Sequence, residues 1–135
     1  MNLDVTSPDA VSAVVRRYFA VVGDLDSTED QLRAVVDPDA VFRELPNPIA
    51  PSGHERSLEQ AVAGFLSGKS RLTDQRIDVH EILVSGHRAA VRSTWRGVLG
   101  GTEIVAHMAG FVTVRDGLVA SHETYDCYEP FTLSP

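Results

Sequence analysis

The chain has 135 residues, of which 43% are hydrophobic and 23% are charged, and its formal net charge is −7. This length is enough for a core that needs neither disulfides nor metal, so we expect one domain over residues 1–135. The composition excludes a disordered chain. The acidic balance argues against nucleic acids and anionic membranes as partners, because both require a basic surface.

Two further absences bear on where the protein resides. Cys127 is the only cysteine, so no internal disulfide can form, which suits a reducing compartment. The first residues lack a basic region followed by an apolar run, and no apolar stretch approaches the roughly 18 residues of a membrane span. We therefore expect a cytoplasmic protein.

Three segments have the apolar periodicity and capping residues of helices. The first begins at Ser7, which can cap the helix, and ends at Gly23. Its apolar residues recur at spacings of three and four and form one stripe: Val11, Val14, Val15, Tyr18, Phe19 and Val22. The second helix is predicted from near Ser27 to Asp37-Pro38. The third opens with the capping-box pattern Ser57–Gln60 and is predicted to end at Gly68.

The region between the second and third helices is extended or irregular. It contains a short predicted strand, Ala40–Leu45, followed by a loop with three prolines and a glycine, Pro46–Gly53. His54 follows this loop. A histidine just before a helix start is typical of a surface or capping residue.

The second half of the chain has the rhythm of strands joined by short turns. The turns are Ser85-Gly86, Gly100-Gly101 and Asp116-Gly117, all typical of hairpins. They separate four predicted strands: Gln75–Val84, Arg88–Leu99, Thr102–Arg115 and Leu118–Tyr128. Three helices with one early strand, followed by an antiparallel meander, predict an α+β fold.

This order of elements resembles the nuclear-transport-factor-2-like superfamily, in its polyketide-cyclase and steroid-ketoisomerase branch. Four segments carry the resemblance: 13–20, 37–44, 91–97, and 113–117 running into Tyr125-Asp126. The resemblance implies a strongly curved, mainly antiparallel sheet that wraps around the three helices as a cone with an internal pocket. The superfamily includes isomerases, cyclases, epoxide hydrolases, dehydratases and silent binding modules, so the fold alone does not imply a reaction.

The resemblance to steroid ketoisomerases implies roles for two residues. Tyr18 falls at the helix tyrosine that hydrogen-bonds an enolate, and Glu44 falls at the carboxylate that shuttles the proton. The second hydrogen-bonding acid of those enzymes falls near Ala109 or Gly110, which have no polar side chain. The paired aspartates of epoxide hydrolases are also missing.

Hairpin geometry suggests further site residues. If the Asp116-Gly117 turn is followed by regular pairing, Phe111 lies opposite His122, and His107 lies opposite Asp126, all on one face. That face would carry titratable groups in an apolar setting, as acid–base catalysis needs. Asp126 beside either histidine would orient the imidazole and hold it charged. A structural cross-strand pair on the convex face is the alternative for His107 and Asp126.

The facing of the preceding strand is ambiguous. Regular pairing at Gly100-Gly101 would turn Arg92, Thr94 and Arg96 into the pocket, whereas the family pattern turns in Val91, Ser93 and Trp95. We favour the second set, because unpaired buried arginines are costly and a bulge easily changes the register.

These observations favour a cofactor-free acid–base enzyme of the isomerase, cyclase or dehydratase kind, acting on a small apolar carbonyl or hydroxyl compound. Glu44 would move a proton, and His122 with Asp126 would supply the acid or a hydrogen bond. Tyr18 and His107 would contact the substrate, while Trp95 and Phe111 would form an apolar wall. The five histidines lack the spacing of metal ligands, so we expect no metal site.

Two other hypotheses use the same fold. The first is a non-catalytic ligand-binding or accessory module, and the second is an interaction module whose cone is filled. In each case we expect a homodimer through the sheet, with Glu123, Tyr125 and Cys127 on the outer side, where tyrosine is common at interfaces.

Overall fold

The computed structural model describes residues 7–133 and contains three helices and six strands. In chain order they are α1 (Pro8–Val22), α2 (Glu29–Val35), β1 (Val36–Glu44), β2 (His54–Arg56), α3 (Leu58–Arg71), β3 (Leu72–Ser85), β4 (Arg88–Leu99), β5 (Thr102–Arg115) and β6 (Leu118–Tyr128). No helix within this range is long and apolar enough to cross a membrane.

The strands form one open sheet in the order β2-β1-β6-β5-β4-β3. β3 to β6 are an antiparallel meander, and β1 runs parallel to β6 at the other side. The α+β class predicted from the sequence is confirmed. The early extended region differs, because it contains two strands: residues 54–56 pair antiparallel with the end of β1.

The capping residues predicted from the sequence act as expected. The Ser7 hydroxyl accepts a hydrogen bond from the Ala10 N–H at 3.1 Å, and Ser57 forms a capping box with Gln60. The prediction that Gly68 ends α3 is wrong. The helix continues to Arg71, and the backbone N–H of Leu72 closes it by donating to the Gly68 carbonyl. Gly68 is thus an interior helix residue that lines the cavity described below.

The helices cover one face of the sheet through a core rich in valine. Val11 and Val15 of α1 are fully buried, as are Val112, Val114 and Val119 of the sheet. Such β-branched residues suit a pleated surface. Burial of each of these side chains stabilises the fold by about 1.5–3 kcal/mol.

A β-bulge in the last hairpin changes the predicted register. Arg115 pairs with Leu118, but the pairing shifts between Val114–Val119 and Thr113–Ser121, which leaves Ala120 as the extra residue. Beyond the bulge His122 pairs with Val112 instead of Phe111. A shift of one residue exchanges the two faces of a strand. The predicted cross-strand partners on β5 are therefore wrong, and Phe111 and His107 lie on the outer face.

The facing favoured for β4 is confirmed. Val91 and Ser93 are 3% and 2% exposed and face the helices, whereas Arg92 is exposed on the other side. The Trp95 indole faces inward and donates to Gln75 Oε1 at 2.8 Å. It lies over Gly97, where an added Cβ would overlap the ring.

Candidate functional site

A cavity of about 310 Å³ lies between the helices and the sheet, where it is bordered by strands β1, β2 and β6 and by the start of β3. Its wall combines apolar side chains with a cluster of titratable groups. The apolar part is Val22, Leu32, Phe42, Ala61, Phe65 and Leu72; the polar part is Tyr18, Arg43, Glu44, His54, Arg56, Lys69, Gln75, His122, Thr124 and Asp126. A largely apolar cleft with a few convergent polar groups is the usual form of a small-molecule site.

Glu44 is held at the cavity wall by Asn47 of the proline-rich loop and by His54, the first residue of β2. Its Oε1 accepts from Asn47 Nδ2 at 2.9 Å, and its Oε2 lies 2.6 Å from His54 Nε2. Asn47 is itself ordered, since its Oδ1 accepts from the backbone N–H groups of Ile49 and Ala50. The loop thus fixes the direction of one carboxylate, as a proton-transfer group requires.

Asp126 is the second carboxyl group of the cluster. β1 and β6 run in parallel with Glu44 beside Thr124, so Asp126 follows two residues further on the same face. Its Oδ1 accepts from the Thr124 hydroxyl at 2.5 Å. Burial raises the pKa of Asp126, and the nearby Glu44 carboxylate raises it further, against the lowering effect of the Thr124 hydroxyl. Two carboxyl groups in one cavity, one of them with a raised pKa, can act as a base and an acid.

Tyr18 and His122 form a second, deeper pair. The Tyr18 hydroxyl lies 2.8 Å from His122 Nδ1, and the rings meet edge to face. Burial raises the pKa of Tyr18 and lowers the pKa of His122 to about 4. Both groups are therefore neutral at pH 7. This contradicts the prediction of a charged imidazole held by Asp126, whose partner is Thr124.

The environment of the second ring nitrogen of His122, Nε2, indicates which group donates the hydrogen bond between Tyr18 and His122. His122 Nε2 is buried without a hydrogen-bond partner among residues 7–133. An orphaned buried N–H is rarer than an under-used acceptor, which favours the tautomer with the proton on Nδ1. The imidazole then donates to Tyr18, and the Tyr18 O–H is left to donate into the cavity.

Gly110 makes room for this arrangement. A Cβ added at Gly110 would lie 3.0 Å from His122 Nε2 and 3.0 Å from the Glu123 carbonyl oxygen. The imidazole thus fills the space that a side chain at position 110 would need. The resemblance to ketoisomerases implies an acid near Ala109 or Gly110, and at Gly110 a polar group comes instead from His122 on the neighbouring strand.

The burial of His122 predicts that stability falls as the medium is acidified. The native pKa of about 4 lies below the ordinary histidine pKa of 6.5, so between these values the unfolded chain binds more protons and stability decreases with decreasing pH. The difference corresponds to about 3 kcal/mol. We expect the unfolding free energy of the wild-type protein to decline more steeply from pH 7 to pH 4 than that of His122→Gln. Asp126, whose pKa is raised, has the opposite effect on the pH dependence, but it is present in both proteins and cancels in the comparison. Parallel curves of unfolding free energy against pH, measured by urea titration, would therefore contradict this prediction.

Five residues predicted for the pocket do not line it. Val91 and Ser93 face inward but are buried beneath the helices. His107 lies on the outer face with its Nε2 2.7 Å from Glu129, and Phe111 is 42% exposed against Tyr125. Both follow from the bulge in the last hairpin. Trp95 faces inward but is separated from the cavity by Gln75, which its indole contacts. The apolar wall is instead formed by residues of α1, α2, α3, β1 and the first residue of β3.

The structure brings together Tyr18, Glu44, His122 and Asp126 and adds groups that sequence reasoning missed. The sequence pattern predicts His54 as a surface or capping residue and Asn47 only as part of an irregular loop. The signal that could have found them is the short distance in sequence: a loop that returns antiparallel must bring its far end back to the end of β1.

Residues 7–133 contain no group of three or more His, Cys, Asp and Glu side chains suited to a metal ion.

Several solved structures share this fold. The candidate polyketide cyclase IdmH of Streptomyces antibioticus is 22% identical, with a TM-score of 0.71 over 86% of this chain and 91% of that chain. An epoxide hydrolase of the LEH-like type from M. tuberculosis is 15% identical, with a TM-score of 0.73 over 87% and 82%. A Catenulispora acidiphila protein with a ketosteroid isomerase-like fold, in complex with trimethylamine, is 15% identical, with a TM-score of 0.71 over 89% and 86%. At such identities the likeness establishes the fold and leaves the reaction open.

No curated protein matches the chain. The profile of the SnoaL-like domain, however, matches residues 7–122, which include all elements from α1 to β5, the start of β6, and both Tyr18 and His122. The chain therefore belongs to the SnoaL-like domain family, within the nuclear-transport-factor-2-like superfamily.

Proposed function

We propose that the protein is a cofactor-free acid–base enzyme of the isomerase, cyclase or dehydratase kind, acting on a small apolar carbonyl or hydroxyl compound. The observation that carries the proposal is the pair of carboxyl groups, Glu44 and Asp126, in one cavity with the inward-donating Tyr18. Neighbours in fold named as a polyketide cyclase candidate and an epoxide hydrolase support a catalytic use of such a cavity.

The residues divide the work as follows. Glu44, as a carboxylate aimed by Asn47 and His54, accepts a proton from the carbon next to a substrate carbonyl. The Tyr18 O–H donates to the carbonyl oxygen, where negative charge develops. Asp126, whose raised pKa favours the protonated form, returns a proton to the product. His122 supports Tyr18 and takes no part in proton transfer, because it stays neutral.

Proton abstraction can be measured without knowledge of the natural substrate. Ketones that fit about 310 Å³, such as cyclohexanone and tetralone, are incubated with the protein in deuterium oxide. Mass spectrometry then follows deuterium uptake next to the carbonyl. Uptake that requires Glu44 supports the enzyme. Ketones that bind without any Glu44-dependent exchange would favour the non-catalytic binding module instead.

We also propose a homodimer through the outer face of the sheet. Leu83, Ala90 and Phe111 lie in one row across β3, β4 and β5, and Tyr125 meets Phe111 edge to face. Leu83 is 60% exposed and Tyr125 is 44% exposed, so this patch is apolar and open. A second copy can cover it through the same residues, as in a two-fold interface.

We expect Phe111→Glu to convert a dimer to a monomer in sedimentation velocity, because a charge would be buried in the interface. Ile49→Glu is the matched control: Ile49 is 47% exposed but lies in the loop after β1. A wild-type protein that sediments as a monomer, or a Phe111→Glu dimer, would refute the interface.

A further inference from the structure

Arg56 is a cavity residue that the proposed chemistry does not use. It lies on β2 opposite Phe42, two residues beyond His54, and therefore on the same inward face. Its guanidinium rests against α3 at Gly64, where an added Cβ would overlap Nη1. The missing side chain at position 64 leaves the space that the guanidinium occupies.

The other cations of the cavity already have partners. Arg43 forms an ion pair with Glu123 at 3.3 Å on the outer side. The Lys69 ammonium donates to the backbone oxygens of Asp24 and Leu25 at 2.9 and 2.6 Å, and so joins α3 to the loop after α1. Among residues 7–133, Arg56 makes no ion pair and its side chain makes no hydrogen bond, although the protein carries a net charge of −7.

The two carboxyl groups that line the same cavity as Arg56 are bonded to other residues. Glu44 is bonded to Asn47 and His54, and Asp126 is bonded to Thr124. A half-buried guanidinium without a carboxylate partner is costly unless a ligand supplies one. Its planar fork of donors matches a carboxylate, which it can bind through two parallel hydrogen bonds.

We propose that Arg56 binds a carboxylate of the ligand at the side of the cavity formed by β2 and α3. This inference builds on the proposed function and narrows its substrate class to carbonyl or hydroxyl acids, in which an apolar body separates the acid from the reacting oxygen. Phe42 and Phe65 line the same cavity and offer the aromatic surface that this apolar body would contact.

The test compares acids with their uncharged esters. Naphthylacetate and cyclohexylacetate, and the methyl ester of each, are titrated into the full-length protein by calorimetry at neutral pH. We expect the wild-type protein to bind at least one acid more tightly than its ester by on the order of tenfold to a hundredfold, as a charge-assisted hydrogen bond predicts. Arg56→Gln should reduce this preference to less than about twofold, and Arg56→Lys should retain part of it.

Two variants separate recognition from general effects. Arg17→Gln removes the same charge from an exposed position of α1 outside the cavity and should leave the acid preference unchanged. Gly64→Ala should weaken acid binding while the thermal midpoint stays the same or rises, because the Cβ displaces the guanidinium and alanine favours the helix.

Equal affinity for acids and esters, an unchanged preference in Arg56→Gln, or no acid binding at millimolar concentration would overturn the inference. None of these results depends on turnover. Loss of the acid preference in Arg56→Gln, together with Glu44-dependent exchange in the wild-type protein, would support both proposals. Arg56-dependent acid binding without any Glu44-dependent exchange would support a carboxylate-binding module and contradict the enzyme.

Discussion

Replacing Glu44 with glutamine is expected to slow deuterium exchange into bound ketones by on the order of a hundredfold to ten-thousandfold, the range attributed to a positioned general base. The substitution keeps the shape of the side chain and removes its ability to take a proton. The contact with Asn47 can remain, because Asn47 Nδ2 donates at 2.9 Å to an oxygen that the amide still offers. The fold should therefore survive while the exchange is lost.

Glu55→Gln provides the matched control for this result. Glu55 is adjacent to His54 on β2, but it is exposed and faces away from the cavity. The same change of charge there should leave exchange within about twofold of the wild-type rate, as expected of a surface substitution. Equal exchange rates for Glu44→Gln and the wild-type protein would remove Glu44 as the base.

His54→Ala tests whether the neighbour of Glu44 matters through orientation. His54 Nε2 lies 2.6 Å from Glu44 Oε2, and His54 Nδ1 is buried without a partner within residues 7–133. If His54 positions the carboxylate, its loss should lower the exchange rate while the affinity for the ketone changes little, because effective positioning acts on the transition state. A loss confined to affinity would indicate a binding role only.

The order of helices and strands could be predicted from the sequence because the helix caps, the apolar periodicity and the turn residues agree with each other. Ser7 and Ser57 cap their helices as predicted, and the predicted turn residues lie between each pair of successive strands of the meander. These signals depend on few residues that are close in the chain. Where a local signal is weak, the predicted boundary is wrong, as at Gly68. The helix continues to Arg71, and Lys69 in its last turn donates to the carbonyl oxygens of Asp24 and Leu25.

The candidate site was accessible only in part, for a physical reason. Alternation within one strand predicts the inward side of β6, and His122 and Asp126 lie in the cavity with Tyr18 and Glu44. The residues of β5 that pair with this side of β6 could not be predicted. One extra residue, Ala120, exchanges the two faces of the strand relative to β5, and nothing in the sequence marks it. His107 and Phe111 were misassigned by that single residue.

The second large effect is expected for Tyr18→Phe, which should lower the exchange rate by on the order of a hundredfold to a thousandfold, as when one oxyanion donor is removed. Tyr18 is 4% exposed, and phenylalanine fills nearly the same volume. The lost hydroxyl also leaves His122 Nδ1 unpaired beside an already unpaired Nε2. We expect a stability loss of about 1–3 kcal/mol from this second effect.

A double variant separates the two consequences. Tyr18→Phe combined with His122→Leu removes both polar partners, and such paired replacement is often nearly neutral for stability. Its unfolding free energy should therefore recover most of the loss, while exchange stays as slow as in Tyr18→Phe. Tyr125→Phe, which removes a hydroxyl that donates to Glu123 on the outer face, should change neither quantity by much. If exchange recovers together with stability, the hydroxyl of Tyr18 serves the fold alone, and the enolate must be stabilised by another group.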